Sequence, residues 1–415
     1  MPRTVHIIGA GLAGLSAAVR LIGHAARVHL YEATTQAGGR CRSYHDLTIG
    51  MTIDNGNHLL LSGNRAALSY LDAIGARHLL TGPGEASVPF IDLKSGERWT
   101  LLANDGFVPW WIFHPGRRVP GTSARSYLSL LHLLRASPHA KVGDVMTCEG
   151  PLYDRLVGPF LLAALNVDPP EGSAALAAAV VNETLLAGGK NYHPMIAREG
   201  LSTAFIEPGV AHITRNTGTV AFERQLRAFA FEGDRVTALD FGSAQVRVSE
   251  DDAVVLAVPP WAAASLIPAL ETPTEFRAIV NAHFKIDPPP GLPAITGVIG
   301  GTVEWLFTFP GRLSVTISGA DRLLNIPREE LAAQIWQDVA QIAGIADELP
   351  PWQIVRERRA TFAATPQENA KRPGTATRFR NLALAGDWTA TGLPATIEGA
   401  IRSGQRAADW IAAKT

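Results

Sequence analysis

The sequence predicts an α/β protein in which a dinucleotide-binding domain, assembled from separate segments, is joined to a second domain of α+β type. Two observations predict this organisation. An apolar strand runs into a Gly-rich turn and a helix near the start of the chain, and another apolar strand ends in Gly-Asp near its end. The length of 415 residues exceeds one small domain and suits two.

The first element is the strand at Val5–Ile8, which continues into Gly9-Ala10-Gly11-Leu12-Ala13-Gly14 and a helical pattern. Gly9 allows the tight turn, Gly11 lets the backbone approach a pyrophosphate, and Gly14 lets the helix pack on the strand. The free N–H groups at the start of the helix, around Leu12 and Ala13, point at phosphates. This unit predicts a Rossmann-like nucleotide site.

The second element is the strand Val28–Tyr31, which is followed by Glu32. An acid at this distance from the turn accepts hydrogen bonds from an adenosine ribose. An arginine would be expected if the ribose carried a 2′-phosphate, so NADP is disfavoured. At this point FAD and NAD both stay open.

A third motif, Gly38-Gly39-Arg40-Cys41-Arg42-Ser43, follows Glu32 closely. It resembles the signature of the large flavoprotein superfamily that contains monoamine oxidases, phytoene desaturases and protoporphyrinogen oxidases. The resemblance implies FAD rather than NAD. It also implies that Gly38 and Gly39 lie close to the cofactor and that Arg40 and Ser43 donate to its phosphates. A solvated surface turn is the alternative interpretation.

The C-terminal segment contains an apolar strand that ends at Gly386-Asp387, and a closing helix follows the stretch Thr396–Ala400. This order resembles the last flavin-binding motif of the same superfamily. The resemblance implies that Asp387 bonds the ribityl chain and that Thr396 and Ile397 lie at the flavin edge. The alternative is a strand-to-helix corner with a capping aspartate.

Two further strands complete the predicted cofactor domain. The buried run 252–258 stops at Pro259-Pro260, and Thr219-Val220 resembles the usual adenine-side strand, with Val220 at the cofactor. We therefore expect residues 1–80, 205–265 and 375–415 to form the FAD-binding domain. Residues 81–204 and 266–374 then form the substrate domain.

A narrower resemblance starts at Asp54-Asn55-Gly56-Asn57-His58, which follows a strand-like run over 47–53. Together with Val280–Phe284 and Leu393–Ala400, it is similar to the squalene-associated flavoenzymes, the hydroxysqualene dehydroxylases. The resemblance implies that Asn57 and His58 lie beside the flavin. It implies reduction of hydroxysqualene to squalene, a step towards hopanoids, with hydride passing from reduced flavin N5 to an allylic carbon.

Three residues are candidates for catalysis. His58 is the first candidate for the acid that protonates the leaving hydroxyl, because histidine titrates near neutral pH; it would otherwise only orient the loop or bond the flavin. His193 and Lys285 are the other candidates. Lys285 is considered because many amine oxidases hold a lysine–water pair near N5, although His283 and Lys285 also read as the polar face of a strand.

An apolar isoprenoid substrate requires a long apolar slot. The segments 107–113, 127–134 and 156–165 of the predicted substrate domain offer its lining. Trp110-Trp111, with Arg117 and Arg118 nearby, suits an interfacial membrane anchor equally well, because tryptophan prefers headgroup depth and arginine suits anionic lipid. Plain protein core is the third interpretation of these aromatic residues.

The composition excludes several functional classes. The net charge is −1, and the sequence pI of about 6.9 argues against nucleic-acid binding driven by phosphates. Cys41 and Cys148 cannot build a disulfide framework or a tetrahedral zinc site, and we predict no metal. No apolar run suits a transmembrane helix and no signal peptide is recognised. We expect a cytoplasmic protein, with peripheral contact with the inner face of the membrane left open.

Alternative activities also stay open at this stage. Carotenoid-type desaturation on the same fold would reverse the flow of electrons, and the sequence does not set its direction. A flavin amine oxidase usually has an aromatic cage over the flavin, and no aromatic pair stands at an obvious site. A flavin carrier without turnover is a further class. The electron donor of the reductive reaction is not identified by any motif.

Overall fold

The computed structural model describes residues 4–24 and 27–414. The described strands are β1 Thr4–Ile8, β2 Arg27–Tyr31, β3 Ser43–Asp46, β4 Met51–Asp54, β5 Leu60–Leu61, β6 Leu80–Thr81, β7 Ser87–Asp92, β8 Arg98–Leu102, β9 Pro194–Ala197, β10 Thr219–Ala221, β11 Ala228–Glu232, β12 Arg235–Asp240, β13 Gln245–Arg247, β14 Ala253–Leu256, β15 Phe276–Lys285, β16 Ile295–Ile299, β17 Trp305–Phe309, β18 Arg312–Ile317, β19 Trp352–Phe362 and β20 Leu382–Leu384.

The described α-helices are α1 Leu12–Gly23, α2 Arg65–Ala73, α3 Leu130–Leu133, α4 Val142–Val145, α5 Gly158–Leu165, α6 Ala174–Glu183, α7 Glu207–Arg215, α8 Pro260–Leu266, α9 Arg328–Ala343, α10 Pro366–Ala370 and α11 Ile397–Ala412. Shorter 3₁₀ segments connect them, among them Trp110–Phe113 and Ala124–Ser129.

A parallel five-stranded sheet forms the nucleotide-binding part of the fold. Its strand order is β10-β2-β1-β14-β20, and all neighbours run parallel. These strands come from segments more than a hundred residues apart, as the discontinuous α/β prediction requires. Because the strands are parallel, the turns that follow them meet at one edge of the sheet, where such folds bind their ligands.

Helices α1 and α11 pack against each other on one face of this sheet. The Ser16 hydroxyl donates to the carbonyl of Ile401 at 3.0 Å. A Cβ atom on Gly404 would lie 2.1 Å from the carbonyl oxygen of Ala13, so glycine is required for this close approach. The first and last motifs of the sequence are thereby held together.

A mixed seven-stranded sheet forms the second part, in the order β19-β15-β18-β17-β16-β7-β8. Neighbouring strands are antiparallel except β16 and β7, which are parallel. One face packs on α9, where Phe284 and Trp336 approach to a ring-centroid distance of 5.0 Å. The combination of this sheet with the helices of residues 124–183 agrees with the predicted α+β type.

The hairpin β3–β4 corrects one sequence expectation. The run 47–53 was expected as a strand, but residues 47–50 form a turn, in which Gly50 adopts φ +58°, and only residues 51–53 belong to a strand, β4. Leu47 at the tip is 89% exposed. The apolar residues of this run therefore do not form one strand, because the chain must reverse before Asp54 can reach the second sheet.

Both cysteines carry free thiols. Cys41 is buried next to the predicted Gly-Gly motif, and Cys148 is partly buried in the helical segment. Over residues 4–24 and 27–414, no helix is both long enough and apolar enough to cross a bilayer.

Candidate active site

The loop after β1 has the geometry of a phosphate-binding turn. Gly9 adopts φ +103°, and a Cβ there would lie 2.4 Å from the carbonyl oxygen of Ala257. A Cβ on Gly14 would lie 1.9 Å from the carbonyl oxygen of Gly9, whereas a Cβ on Gly11 would meet nothing within 4 Å. Two glycines thus close the turn and the third leaves an open approach to the backbone.

Helix α1 begins directly after this turn, at Leu12. Gly11 is its N-cap and offers no side chain to bond the first N–H groups. The N–H groups of Leu12 and Ala13 belong to the first turn of the helix, which has no intrahelical acceptor for them. An anion at this position would be stabilised by these donors and by the helix dipole.

Glu32 follows β2 at the same edge of the sheet. One carboxylate oxygen accepts from the backbone N–H of Ala10 at 2.9 Å, and the other accepts from the N–H and hydroxyl of Thr34, each at 2.9 Å. The carboxylate therefore lies against the phosphate-binding turn. Val220 lies on β10, directly beside β2, and pairs with Leu30.

The Gly38-Gly39 doublet lies on the phosphate-binding turn. The N–H of Gly38 donates to the carbonyl of Ala10 at 2.8 Å, and Gly11 and Gly38 form an isolated parallel bridge. A Cβ on Gly39 would lie 3.6 Å from the Cα of Gly11. The two glycine motifs of the sequence are therefore adjacent in space.

Arg40 and Asp387 join the beginning and the end of the chain. One terminal guanidinium nitrogen of Arg40 donates to both carboxylate oxygens of Asp387 at 2.7 Å, and the other donates to the carbonyl of Ala360. The Asp387 carboxylate is almost completely buried. Arg40 and Asp387 also line a small cleft together with Trp261, Phe276, Arg359 and Trp388.

The C-terminal return is fixed by Gly386 and Trp388. The Trp388 indole N–H donates to the carbonyl of Val258 at 2.9 Å and so ties the ends of β20 and β14 together. A Cβ on Gly386 would lie 2.3 Å from that indole nitrogen. Thr396 caps α11, since its hydroxyl accepts from the N–H of Gly399 at 3.0 Å, and Ile397 is the first helical residue.

The geometry of this sheet edge fits the parts of FAD. The open turn at Gly11, the uncapped start of α1 and the acid at Glu32 suit a pyrophosphate and an adenosine ribose. Asp387 and the N-terminus of α11 stand at the same sheet edge, beyond β20. The residues present fit a dinucleotide that spans the edge from β2 to β20.

Ser43 is bonded within the protein. Its hydroxyl donates to Asp54 at 2.6 Å and accepts from the N–H of Ser202 at 2.9 Å. Asp54 also accepts from the N–H of Leu201 at 2.8 Å. The single hydroxyl proton of Ser43 is thus donated to Asp54. Donation from Ser43 to a cofactor phosphate stays a prediction, and it requires this bond to be exchanged.

The loop Asp54–His58 lies against the second sheet. The Asn57 N–H donates to the side-chain oxygen of Asn281 on β15 at 3.3 Å. The Asn57 amide donates to the carbonyl of Val315 at 3.1 Å and to the hydroxyl of Thr316 at 3.2 Å, both on β18. Thr316 in turn donates to Asn281 at 2.8 Å. Two of the three sequence segments of the narrower resemblance, 54–58 and 280–284, are therefore in direct contact.

Asn281, Thr316 and Arg312 are site residues that the sequence reasoning did not single out. Arg312 is buried, with one nitrogen 3.6 Å from the Asp54 carboxylate and another donating to the carbonyl of Thr52 at 3.0 Å. The sequence was interpreted as placing His283 and Lys285 on the polar face of a strand. Only Lys285 is exposed, whereas His283 and Asn281 are buried.

His58 is half-buried at the end of this loop. Among the residues that the structure describes, none hydrogen-bonds its imidazole, so both ring nitrogens are available to a bound molecule. Burial lowers the pKa of His58 to about 4; the Asp54 carboxylate opposes this shift and the Arg40 cation adds to it. The imidazole is therefore neutral at pH 7.

Among the described residues, neither His193 nor Lys285 hydrogen-bonds a residue of the loop Asp54–His58. The His193 imidazole lies 2.9 Å from the carboxylate of Asp105, and its backbone N–H donates to the Ser62 hydroxyl. The Lys285 ammonium is exposed and donates to the carbonyl of Ile49 in the β3–β4 turn at 3.0 Å. Each side chain has a partner within the protein.

His283 is fully buried between β15 and β18. Its Nδ1 lies 2.9 Å from the hydroxyl of Ser314, and its Nε2 has no partner among the described residues. Burial lowers the pKa of His283 to about 3, and the neighbouring Arg312 cation acts in the same direction. The His283 imidazole is therefore neutral at pH 7, and it lies next to the backbone of Asp54.

The three apolar segments expected as a slot differ in exposure. Leu156, Leu161 and Leu165 are buried in the largest hydrophobic core, and Trp111 joins them there. By contrast, Phe107 and Phe113 face outwards. Trp110 is therefore exposed, whereas its neighbour Trp111 lies in the core.

Comparison with known proteins identifies relatives along the whole chain. The family model "Flavin containing amine oxidoreductase" matches residues 12–412. A hydroxysqualene dehydroxylase of Rhodopseudomonas palustris is 61% identical over 100% of this chain and 99% of its own length. One of Sinorhizobium fredii is 57% identical over the whole of both chains.

The fold is also found among solved structures. Cyclohexylamine oxidase from Brevibacterium oxydans matches with a TM-score of 0.72 over 100% of this chain and 99% of that chain, at 18% identity. A likeness at this identity concerns the fold alone. It agrees with the α/β FAD-binding architecture.

Proposed function

The chain belongs to the flavin-containing amine oxidoreductase family and, within it, to the hydroxysqualene dehydroxylases; from this premise we propose that it converts hydroxysqualene to squalene. It is an FAD-dependent oxidoreductase. The observation that carries the proposal is the full-length similarity to relatives of that name, which includes both sheets and the loop between them. We further propose that the squalene formed leads to hopanoids.

The proposed reaction replaces a hydroxyl group by hydrogen. The hydroxyl leaves with one added proton as water, and the carbon from which it departs is allylic, so the positive charge that develops there is delocalised. Reduced FAD, when bound, supplies the hydride from N5. The chain must then hold the cofactor, place a proton donor at the leaving oxygen and exclude water from the cation.

We propose that two groups of residues bind the cofactor. The turn Gly9–Gly14, the start of α1 and Glu32 hold the pyrophosphate and the adenosine ribose, and Gly38, Gly39 and Val220 lie beside them. Arg40 and Ser43 are assigned to the phosphates. Asn57, His58, Gly386, Asp387, Thr396 and Ile397 are assigned to the flavin half. Free N–H groups and one buried carboxylate supply these bonds, as the geometry of the sheet edge allows.

His58 is the side chain that we place at the leaving hydroxyl. Its imidazole has no hydrogen-bond partner among the described residues and stands at the end of a loop that the buried amide side chains of Asn57 and Asn281 and the Thr316 hydroxyl hold. At pH 7 the neutral ring can donate one hydrogen bond. With a pKa of about 4, its cationic form is a strong acid and gives up its proton readily.

His193 and Lys285 stay proposals for secondary roles. Both already have partners within the protein, so a catalytic role requires each to exchange a carboxylate or a carbonyl for substrate or water. We propose in addition that the protein works in the cytoplasm, in peripheral contact with the inner face of a membrane, and receives electrons from a donor of unidentified class.

The test is the identification of the product. The purified holoenzyme is incubated anaerobically with a chemical reductant and hydroxysqualene in detergent, and products are analysed by mass spectrometry. We expect squalene, and none from enzyme denatured beforehand. Absence of squalene, combined with desaturation of a polyene by the oxidised enzyme, would transfer the assignment to a carotenoid-type desaturase. Oxidation of an amine instead would assign an amine oxidase.

A further inference from the structure

One stretch of the chain carries most of the large hydrophobic side chains that are exposed in the described residues. Ten large hydrophobic side chains are exposed among the described residues, and seven of them lie between residues 107 and 134. These seven form what we term the apolar surface: Phe107, Val108, Trp110, Phe113, Leu128, Leu131 and Leu134. An exposed apolar patch of this kind marks an interaction site on a protein.

The two halves of the apolar surface are held side by side. Trp111 is buried, and its ring packs edge-on against Tyr127 at a centroid distance of 5.2 Å. The Tyr127 hydroxyl accepts from the N–H of Val119 at 3.1 Å, which fixes the segment between them. The buried members of both segments therefore anchor the exposed ones to one side of the molecule.

The helical half is apolar on its inner and outer sides. Tyr127, Leu130 and Leu133 point into the core. Leu128, Leu131 and Leu134 are exposed, and their spacing of three residues aligns them along the 3₁₀ segment Ala124–Ser129 and α3. Polar residues, among them Arg125, Ser129 and His132, lie between these two rows, and the outer row of leucines is exposed.

The charge of this stretch is entirely positive. No aspartate or glutamate occurs from residue 106 to residue 143. Arg117, Arg118, Arg125 and Arg135 have no carboxylate partner among the described residues, and Arg117 lies over the Trp110 ring, 4.8 Å from its centroid. Exposed tryptophan and phenylalanine next to unpaired arginine suit the headgroup region of an anionic bilayer.

We propose that the apolar surface docks the protein on an anionic phospholipid bilayer. The inference deepens the peripheral contact proposed above and rests on it. The leucine row and the aromatic residues enter the boundary between headgroups and acyl chains, and the four arginines lie at the phosphates. A second copy of this chain is a poorer partner, because a symmetric contact would bring unpaired arginines of both copies together.

Vesicle sedimentation of the holoenzyme tests the proposal. We expect at least about tenfold more binding to vesicles of phosphatidylglycerol and phosphatidylcholine than to phosphatidylcholine alone, and a loss of that preference at high salt. The double variant Phe107→Ser/Phe113→Ser should bind about tenfold less, with unchanged FAD content and melting temperature. Leu47→Ser, which removes a fully exposed leucine from the β3–β4 turn, is the matched control and should bind as the wild type does.

The double variant Arg125→Glu/Arg135→Glu separates docking from catalysis. It should lose binding to anionic vesicles and still form squalene from hydroxysqualene in detergent at the wild-type rate. Wild-type binding that is equal on both vesicle types or absent would overturn the docking proposal. If the wild type is a dimer and Phe107→Ser/Phe113→Ser is a monomer, the apolar surface binds a second copy of the chain instead of a bilayer. Vesicle binding without squalene formation would contradict the proposed function alone.

Discussion

At the scale of single residues, the protonation state of His58 decides how it can act. Its pKa of about 4 leaves the imidazole neutral at pH 7. The histidine pKa in the unfolded chain is higher, so burial stabilises the neutral form, and the protonated fraction rises about tenfold for each unit by which the pH falls between 7 and 5. A proton donor of this kind works faster at lower pH.

We therefore predict that kcat for squalene formation rises as the pH is lowered from 7 towards 5. In His58→Gln this dependence should disappear and kcat should fall by about a hundredfold, because the variant retains a hydrogen-bond donor but no transferable proton. The exposed His78→Gln is the control. Equal pH profiles for the wild type and His58→Gln would show that the proton comes from another group.

Asn281 is the residue that positions the loop before His58. Its side chain bonds the N–H of Asn57, the hydroxyl of Thr316 and the carbonyl of Asn55. We predict that Asn281→Ala lowers kcat about tenfold with little change of KM, since each lost buried bond costs about 1–3 kcal/mol. Asn281→Asp keeps the acceptor oxygen and should recover part of kcat.

Thr296→Val is the matched control for Asn281, because the Thr296 hydroxyl is buried without a partner among the described residues. It should leave kcat and the melting temperature near wild-type values. If Asn281→Ala lowers the melting temperature but leaves kcat and its pH profile unchanged, Asn281 serves the fold and does not position His58.

The sequence could not identify Asn281 as a site residue. The side chain lies 224 residues along the chain from the loop that it bonds, so no local pattern records the contact. Asp54 and His58 were found because they stand in one short motif. Residues whose role depends on a distant segment become visible only when the two sheets are placed together.

At the scale of elements, the β1–α1 unit was predictable in detail. Its glycines act within a few residues of each other, so their spacing alone defines the turn. The strand boundaries differ from the expected ones by a residue or two. By contrast, the exposure of Trp110 beside the buried Trp111 depends on the packing of Tyr127, which the sequence pattern does not reveal.

The contact between the turn and α1 gives a prediction for the element as a whole. Gly14→Ala should strongly reduce the FAD content of the purified protein, because a Cβ there would lie 1.9 Å from the Gly9 carbonyl oxygen and must displace the helix from the turn. Gly116→Ala is the control, since its Cβ meets nothing within 4 Å. Full FAD occupancy in Gly14→Ala would contradict the assignment of this turn to the pyrophosphate.

At the scale of the whole molecule, the low content of charged residues, 18%, has a structural basis. Three hydrophobic cores fill the two sheets and the helical segment. The apolar surface adds exposed side chains that an ordinary soluble surface would replace by charged ones. Composition alone indicates that charged residues are few. The structure shows that exposed apolar side chains are concentrated at residues 107–134.

The discontinuous architecture was predictable because each strand of the parallel sheet carries its own motif. The boundaries of the two domains stay predictions, since the hairpin β3–β4 and the loop Asp54–His58, assigned to the FAD-binding domain, bond to β15, β18 and β19 of the second sheet. This loop is where cofactor and substrate are proposed to meet. We propose that electrons pass there from reduced FAD to hydroxysqualene.

The most direct measurement is a single turnover without oxygen. Holoenzyme is reduced stoichiometrically, freed of excess reductant and mixed with hydroxysqualene, while flavin absorbance is followed and squalene is quantified in the same sample. We expect reoxidation of the flavin, with one squalene formed for each flavin reoxidised. A flavin that stays reduced, with hydroxysqualene recovered unchanged, would contradict it.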